Sequence, residues 1–270
     1  AREVIEKGIG GKAKVLIEEK ANGEEFTLQA FSDGKTIFPM PAVQDHKRLL
    51  PGDKGPNTGG MGSYSSETGI LPFMEKSDYE EGAMILQRVI EALNHEESPF
   101  IGPIYGQFML TADGPKIIEI NARFGDPEAM NVLPLLEGDF VDICFSMIEG
   151  ALNRKKISFQ GMATVCKYVV PEGYGIKSMT DQPIEVNERG ISDAGAMLFY
   201  ASVNMKDDLV YTTSSRSLAI VGIGESIEKA ERICEDGLKH VKGDHIFIRH
   251  DIGTKELIEK RIKHMKQIRG

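Results

Sequence analysis

Residues 104–123, IYGQFMLTADGPKIIEINAR, constrain the fold most tightly. Two runs rich in alternating apolar and polar side chains flank the turn ADGP, the pattern of an antiparallel hairpin. Side chains two apart on a strand share a face, so Glu119, Asn121 and Arg123 line one side while Ile118, Ile120 and Ala122 line the other. Centring the turn on Asp113 sets Gln107 opposite Glu119, with their Cβ atoms roughly 5 Å apart. Gln107, Glu119 and Asn121 then converge as oxygen donors. That set suits a hard cation such as magnesium, whose remaining positions are filled by water and substrate phosphates. Arg123, one step along, could neutralise an oxygen of a phosphoryl group in transfer. A half-exposed strand with a solvent-facing polar side accounts for the same spacing.

The rest of the chain mixes strands and helices, an α+β pattern. VLIEE and EEFTLQAFSDG alternate around ANGE and predict another hairpin, which KTIFPMP continues. Residues 45–69 form a long segment rich in Gly, Pro and Asn, too long for a plain connector and therefore expected to be functional. SDYEEGAMILQRVIEALN predicts a helix with Ser77 as N-cap and Glu80 three residues on. A second helical stretch over 127–152 is broken near Pro134 or Gly138. Beyond residue 158 the texture turns to short strands, one amphipathic helix (SIEKAERICEDGLKHV) and a basic tail, so a boundary is expected near residue 152.

At 270 residues and 41% hydrophobic content the chain can bury a substantial core, and its net charge of -9 argues against a general nucleic-acid surface. An anionic ligand must then be held by a local basic patch. Cys144, Cys166 and Cys234 are widely spaced and odd in number, which predicts buried free thiols in a reducing cytoplasm. No run is long and apolar enough to span a bilayer.

Three further segments carry binding chemistry. GDKGPNTGGMG places five glycines within eleven residues, which lets backbone N–H groups approach an anion closely; a flexible linker is the alternative. Asp45, His46, Lys47 and Arg48 form the densest cationic spot near the hairpin, read either as a phosphate clamp or as a solvated turn. Glu18, Glu19 and Glu25 flank a strand junction suited to an adenosine amine and ribose hydroxyls, although glutamates at hairpin ends are commonly just wet. The histidines and the GIGES turn at 222–226 match no zinc or nucleotide spacing and are read as structural.

Taken in order, IEEKANGEE, QDHKRLLPGDKGPNTGGMGSYS, YGQFML, IIEINARFGDPE and RHDIG resemble the phosphoribosylamine-glycine ligase family of the ATP-grasp superfamily, over essentially the whole chain. PNTGGMG followed by RFGDPE is specific to that family; Glu-x-Asn-x-Arg belongs to the wider superfamily. The resemblance implies an enzyme using ATP with Mg2+ or Mn2+ to join glycine to 5-phosphoribosylamine through an acyl phosphate. It implies that Gln107, Glu119 and Asn121 hold the metal, that Arg123 stabilises the transferring phosphoryl, and that Glu18, Glu19 and Glu25 contact the nucleotide. Asp45, His46, Lys47, Arg48, Asn57, Thr58, Gly59, Gly60, Gly62 and Asp126 would shape the substrate pocket, Asp126 with a catalytic part. His250 stands where relatives commonly carry lysine. The family's N-terminal α/β domain and much of its lid are absent, so a fragment is expected. Its parts would be a lid remnant over 1–19, a partial ATP-grasp core over 20–152 and a strand-rich C-terminal domain over 153–270. Another ATP-grasp carboxylate-amine ligase, a carboxylase, or a non-catalytic interaction module are the other readings.

Overall fold

A computed structural model describes residues 17–207 and 209–270. In chain order the strands are β1 (Glu24–Asp33), β2 (Ile37–Pro39), β3 (Val43–Asp45), β4 (Arg48–Leu50), β5 (Lys54–Asn57) and β6 (Gly62–Ser65). Helix α1 (Lys76–His95) follows, then β7 (Ile101–Thr111), β8 (Gly114–Asn121), α2 (Ala129–Val132), β9 (Leu136–Glu137) and α3 (Phe140–Ile148). The second half holds β10 (Ser158–Phe159), β11 (Ala163–Pro171), β12 (Pro183–Val186), α4 (Glu188–Asp193), β13 (Met197–Tyr200), β14 (Val203–Lys206) and β15 (Leu209–Thr212). It ends with β16 (Leu218–Gly224), α5 (Ile227–Leu238), β17 (Val241–Lys242), β18 (Ile246–Ile248) and α6 (Lys255–Arg269).

One antiparallel sheet organises the molecule, in the order β13-β16-β11-β6-β3-β1-β7-β8, with β2 added to β1 and β18 to β11. The α+β expectation holds. The sheet passes without a break from the first half to the second, because Ser65 on β6 pairs with Thr164 on β11. The boundary expected near residue 152 therefore lies between segments that share a sheet.

Period-2 patterning explains how the sheet is covered. Phe26, Leu28 and Ala30 on β1 and Phe108 and Leu110 on β7 are fully buried in one cluster with Leu86 and Ile90 of α1. Phe26 and Phe108 stack with centroids 5.0 Å apart. On the opposite side Phe31 and Val43 meet Ile143 and Met147 of α3. In the second half α5 sets Ala230 and Cys234 against Val165 and Ile220.

Several expectations are corrected in detail. Of the first strand expected for the N-terminal hairpin, residues 15–16 lie outside the described residues and Ile17–Glu19 form no strand; β1 takes β7 as its long partner. The expected lid remnant, 1–19, falls almost wholly outside the described residues. Helix α1 starts at Lys76, where Asp78 accepts from the N–H of Glu75 at 2.8 Å, so Ser77 is not the cap. The glycine-rich segment is neither linker nor irregular loop: it contains the β4–β5 hairpin and leads into β6, a central strand. The basic tail is a helix, α6, capped by Thr254. Its Arg261 and Arg269 return to Glu24 and Asp78, at 3.0 and 2.6 Å. Cys166 and Cys234 are buried free thiols and Cys144 is half-buried. Among the described residues no helix is long and apolar enough to cross a membrane.

Candidate active site

The β7–β8 hairpin turns at Ala112–Asp113 and sets Gln107 opposite Glu119 and Tyr105 opposite Asn121. A bulge at Gln107/Phe108 makes this register, so Gln107 keeps its place on the polar face while Phe108 enters the core. Asn121 Nδ2 donates to Glu119 Oε1 at 3.2 Å; Glu119 is exposed on the edge strand and Asn121 half-buried. One strand inward, Gln107 Nε2 donates to Glu25 Oε2 at 2.9 Å, and Lys47 Nζ donates to Gln107 Oε1. Four strands or strand ends thus deliver Glu25, Lys47, Gln107, Glu119 and Asn121 to one face.

Beside it lies a cavity of about 220 Å³ lined by Glu25, Asp45, His46, Lys47, Arg48 and Asn57, among others. The glycine-rich segment folds back over residues 45–48: Thr58 and Met61 donate N–H groups to the carbonyls of Lys47 and His46 at 2.7 and 2.8 Å. Gly60 N–H goes to Thr58 Oγ1 at 3.2 Å. These amides are used within the protein, and the glycines serve close packing. At Gly60, φ is +110°, and a Cβ would lie 2.9 Å from both Asp45 Oδ1 and Pro127 Cδ. At Gly62 it would lie 2.3 Å from the carbonyl of Cys166.

Charge is arranged in two groups. Burial raises the Asp45 carboxyl well above its usual range, reinforced by the neighbouring Glu128 and opposed by Lys47. Its Oδ1 is buried with no hydrogen-bond partner among the described residues. Glu128 is raised by burial as well and accepts from Tyr105 Oη at 2.9 Å. The second group centres on Asp53. Burial alone would raise its carboxyl, but the hydrogen bond from His46 and the charges of Arg261 and Arg249 hold it well below the carboxylate range. An ionised Asp53 only accepts, so His46 Nδ1, at 3.2 Å, carries the proton. Burial lowers the His46 ring's proton affinity against the pull of Asp53. Arg249, fully buried, bridges Asp53 at 3.1 Å, the carbonyl of Arg48 at 2.9 Å and Asp251 at 2.6 Å.

Not all expected residues gather here. Glu18 and Glu19 are exposed ahead of β1; Glu19 pairs with Lys116 at 2.9 Å and lines a separate cavity. Arg48 borders the cavity, but its Nη1 donates to the carbonyl of Gly55 at 2.8 Å. Arg123 is exposed and donates to its neighbour's carbonyl, Phe124, at 2.8 Å. Both Asp126 oxygens are engaged, Oδ1 by Tyr168 Oη at 2.6 Å and Oδ2 by Arg216 Nη2 at 2.8 Å. Asp53, Arg249, Arg261, Tyr168 and Arg216 were not singled out from sequence. RHDIG marked the neighbourhood of Arg249 and Asp251; no local pattern marks Arg216.

Residues 1–129 match the family model for the phosphoribosylglycinamide synthetase ATP-grasp (A) domain, and residues 164–255 that for its C domain. The chain is 56% identical over 270 residues to the phosphoribosylamine–glycine ligase of Methanothermobacter thermautotrophicus. To that of Methanopyrus kandleri it is 52% identical over 273 residues. These alignments cover 100% of this chain and 61% of each relative, so the chain spans about three fifths of their length. The crystal structure of the Thermotoga maritima phosphoribosylamine–glycine ligase superposes with a TM-score of 0.79 at 29% identity, covering 93% of this chain and 63% of that one. A biotin carboxylase domain of Hydrogenobacter thermophilus 2-oxoglutarate carboxylase shares the fold, with a TM-score of 0.64 at 14% identity over 98% of this chain and 54% of that one. With both models of one family matched in order and half or more of its residues identical to these relatives, the chain belongs to the phosphoribosylglycinamide synthetase family.

Proposed function

We propose that this chain forms the metal-side half of the active site of a phosphoribosylamine–glycine ligase. The reaction joins glycine to 5-phosphoribosylamine and yields glycinamide ribonucleotide, ADP and phosphate. In it a glycine carboxylate oxygen attacks the γ-phosphorus of ATP and ADP leaves; the amine then attacks the acyl carbon and phosphate leaves. The observation that carries this reading is the shared face of Glu25, Lys47, Gln107, Glu119 and Asn121 beside the glycine-rich segment.

The donor chemistry fits Mg2+ or Mn2+. One carboxylate and two amides leave a hard cation dependent on phosphate oxygens, the usual arrangement for magnesium. Lys47 on Gln107 Oε1 already brings positive charge to one of these oxygens. Glu119 and Asn121 would hold the metal, with Gln107 joining when Lys47 turns to a phosphate. When bound, the metal neutralises charge on the phosphate oxygens. Arg123 is free to swing from the Phe124 carbonyl onto the transferring phosphoryl, and Glu25 to accept from the nucleotide. We further propose that the lid side of the nucleotide site comes from the part of the relatives' length outside this chain, and that the protein works in the cytoplasm. Supplying that part and following product by mass spectrometry tests the reading. Glycinamide ribonucleotide should form only when ATP, glycine and phosphoribosylamine are all present; product from another carboxylate in place of glycine would refute it.

A further inference from the structure

We propose that Arg216 is a positioning residue that locks the two loops of the candidate site, 57–62 and 123–128, into one unit from the far half of the chain. Arg216 lies between β15 and β16, and its backbone is fixed there: Ser202 N–H donates to its carbonyl at 2.9 Å, and Ser217 N–H donates to that of Val169 at 3.0 Å. Its side chain, 14% exposed, crosses to the first half of the molecule. Nη1 donates to the carbonyls of Gly59 at 2.8 Å, Asp126 at 3.1 Å and Gly60 at 3.4 Å. Nη2 donates to Asp126 Oδ2 at 2.8 Å.

The guanidinium is seated from below as well. Its Cζ lies 4.5 Å from the centroid of the Tyr168 ring, and the same tyrosine donates to the other Asp126 oxygen at 2.6 Å. Asp126 is thereby held by both members of a stacked pair. The glycines leave the guanidinium in ordinary contact, since a Cβ on Gly59 would lie 3.5 Å from Arg216 Cζ and one on Gly60 3.4 Å from Nη1; the tighter limits there are Tyr174 Oη, 3.1 Å from a Cβ on Gly59, and Asp45 Oδ1 and Pro127, each 2.9 Å from one on Gly60. With Nη1 directed at three carbonyls and Nη2 at a carboxylate, Arg216 acts on the site through Gly59–Gly60 and Asp126. The same loop carries Thr58 and Met61, whose N–H groups fix the backbone of Lys47 and His46. Arg216 thus sets the position of Lys47 at one remove. Lysine cannot replace it, because a single ammonium lacks the planar fork that spans both loops.

The kinetic arm of the test rests on the ligase reading; the exchange arm does not. In hydrogen exchange on the full 270-residue chain, Arg216→Lys and Arg216→Ala should speed exchange by about 10-fold or more in peptides covering both 57–62 and 123–128. Arg216→Lys keeps the charge and serves if the alanine variant does not fold. Supplied with the rest of the enzyme, Arg216→Lys should lower kcat by roughly 100-fold with the KM for ATP within about twofold. Absence of activity in the unaltered protein would sink the ligase reading while leaving the exchange result to decide on Arg216. Unchanged exchange in Arg216→Lys, a change confined to one loop, or normal kcat in that variant would overturn the proposal.

Discussion

Glu119 is exposed and contacts Asn121 across one turn of the strand's pleat, so its removal should leave the fold intact while taking the carboxylate out of the proposed metal ligand set of Gln107, Glu119 and Asn121. In the complete enzyme, Glu119→Gln is expected to lower ADP release by about 100-fold or more with an unchanged unfolding midpoint. Near-normal turnover at saturating magnesium would contradict the assignment. Arg123 differs in kind: it is held by a single neighbouring carbonyl and is available to charge that develops only during transfer. Arg123→Ala should therefore depress kcat by roughly 100-fold and raise the KM for ATP far less. A rise confined to the KM for phosphoribosylamine would make it a substrate clamp. Strand alternation made the shared face of Glu119 and Asn121 legible in the sequence, whereas Gln107 meets Glu119 only through a bulge, which no residue pattern announces, because the turn alone would set Gln107 opposite Ile118. Arg216 was not legible either, since its contacts with Gly59 and Gly60 span 157 and 156 residues and leave no local period.

The β4–β5 hairpin shows what an element gains from distant partners. Asp53, at a φ of 60°, binds His46 in its own segment and Arg249 and Arg261 from the C-terminal end. Its carboxyl is held below the ordinary range despite burial, so this contribution is present above the unfolded value near ~3.9 and is lost as pH falls toward the folded value. His46 works in the same direction. Its folded value is lowered by burial, so the unfolded chain takes up the proton first, below about 6.5, and acid favours unfolding. Asp53→Asn should destabilise the chain by on the order of 3 kcal/mol at pH 7 by leaving Arg249 and Arg261 short of a counter-charge. The gap from the unaltered protein should narrow below about pH 4, as denaturant titrations across pH would read. A gap independent of pH would mean that Asp53 acts by shape alone. Gly60→Ala tests the same region sterically: with φ at +110° and a Cβ 2.9 Å from Asp45 Oδ1 and Pro127, a loss of about 1–3 kcal/mol is expected in the same titration. The hairpin itself escaped sequence reading because glycines and prolines signal a loop whether or not its flanks pair.

At the scale of the molecule, one sheet joins halves whose textures differ, and helix α6 returns from the C-terminal end to Glu24 at the start of β1. The sequence reading did not anticipate this arrangement. Strand β1 takes its main partner, β7, with Glu24 opposite Leu110, a pairing that no neighbouring stretch announces. The continuous core and these long-range ion pairs predict a chain that folds by itself, whereas phosphoryl transfer needs the nucleotide held from both sides. The decisive measurement is glycine-dependent ADP release, first from these 270 residues alone and then with the remainder of the relatives' length supplied. A folded but inert chain that gains glycine-dependent turnover on mixing is the expected result. Robust turnover by the chain alone, or none after mixing with a folded partner, would contradict it.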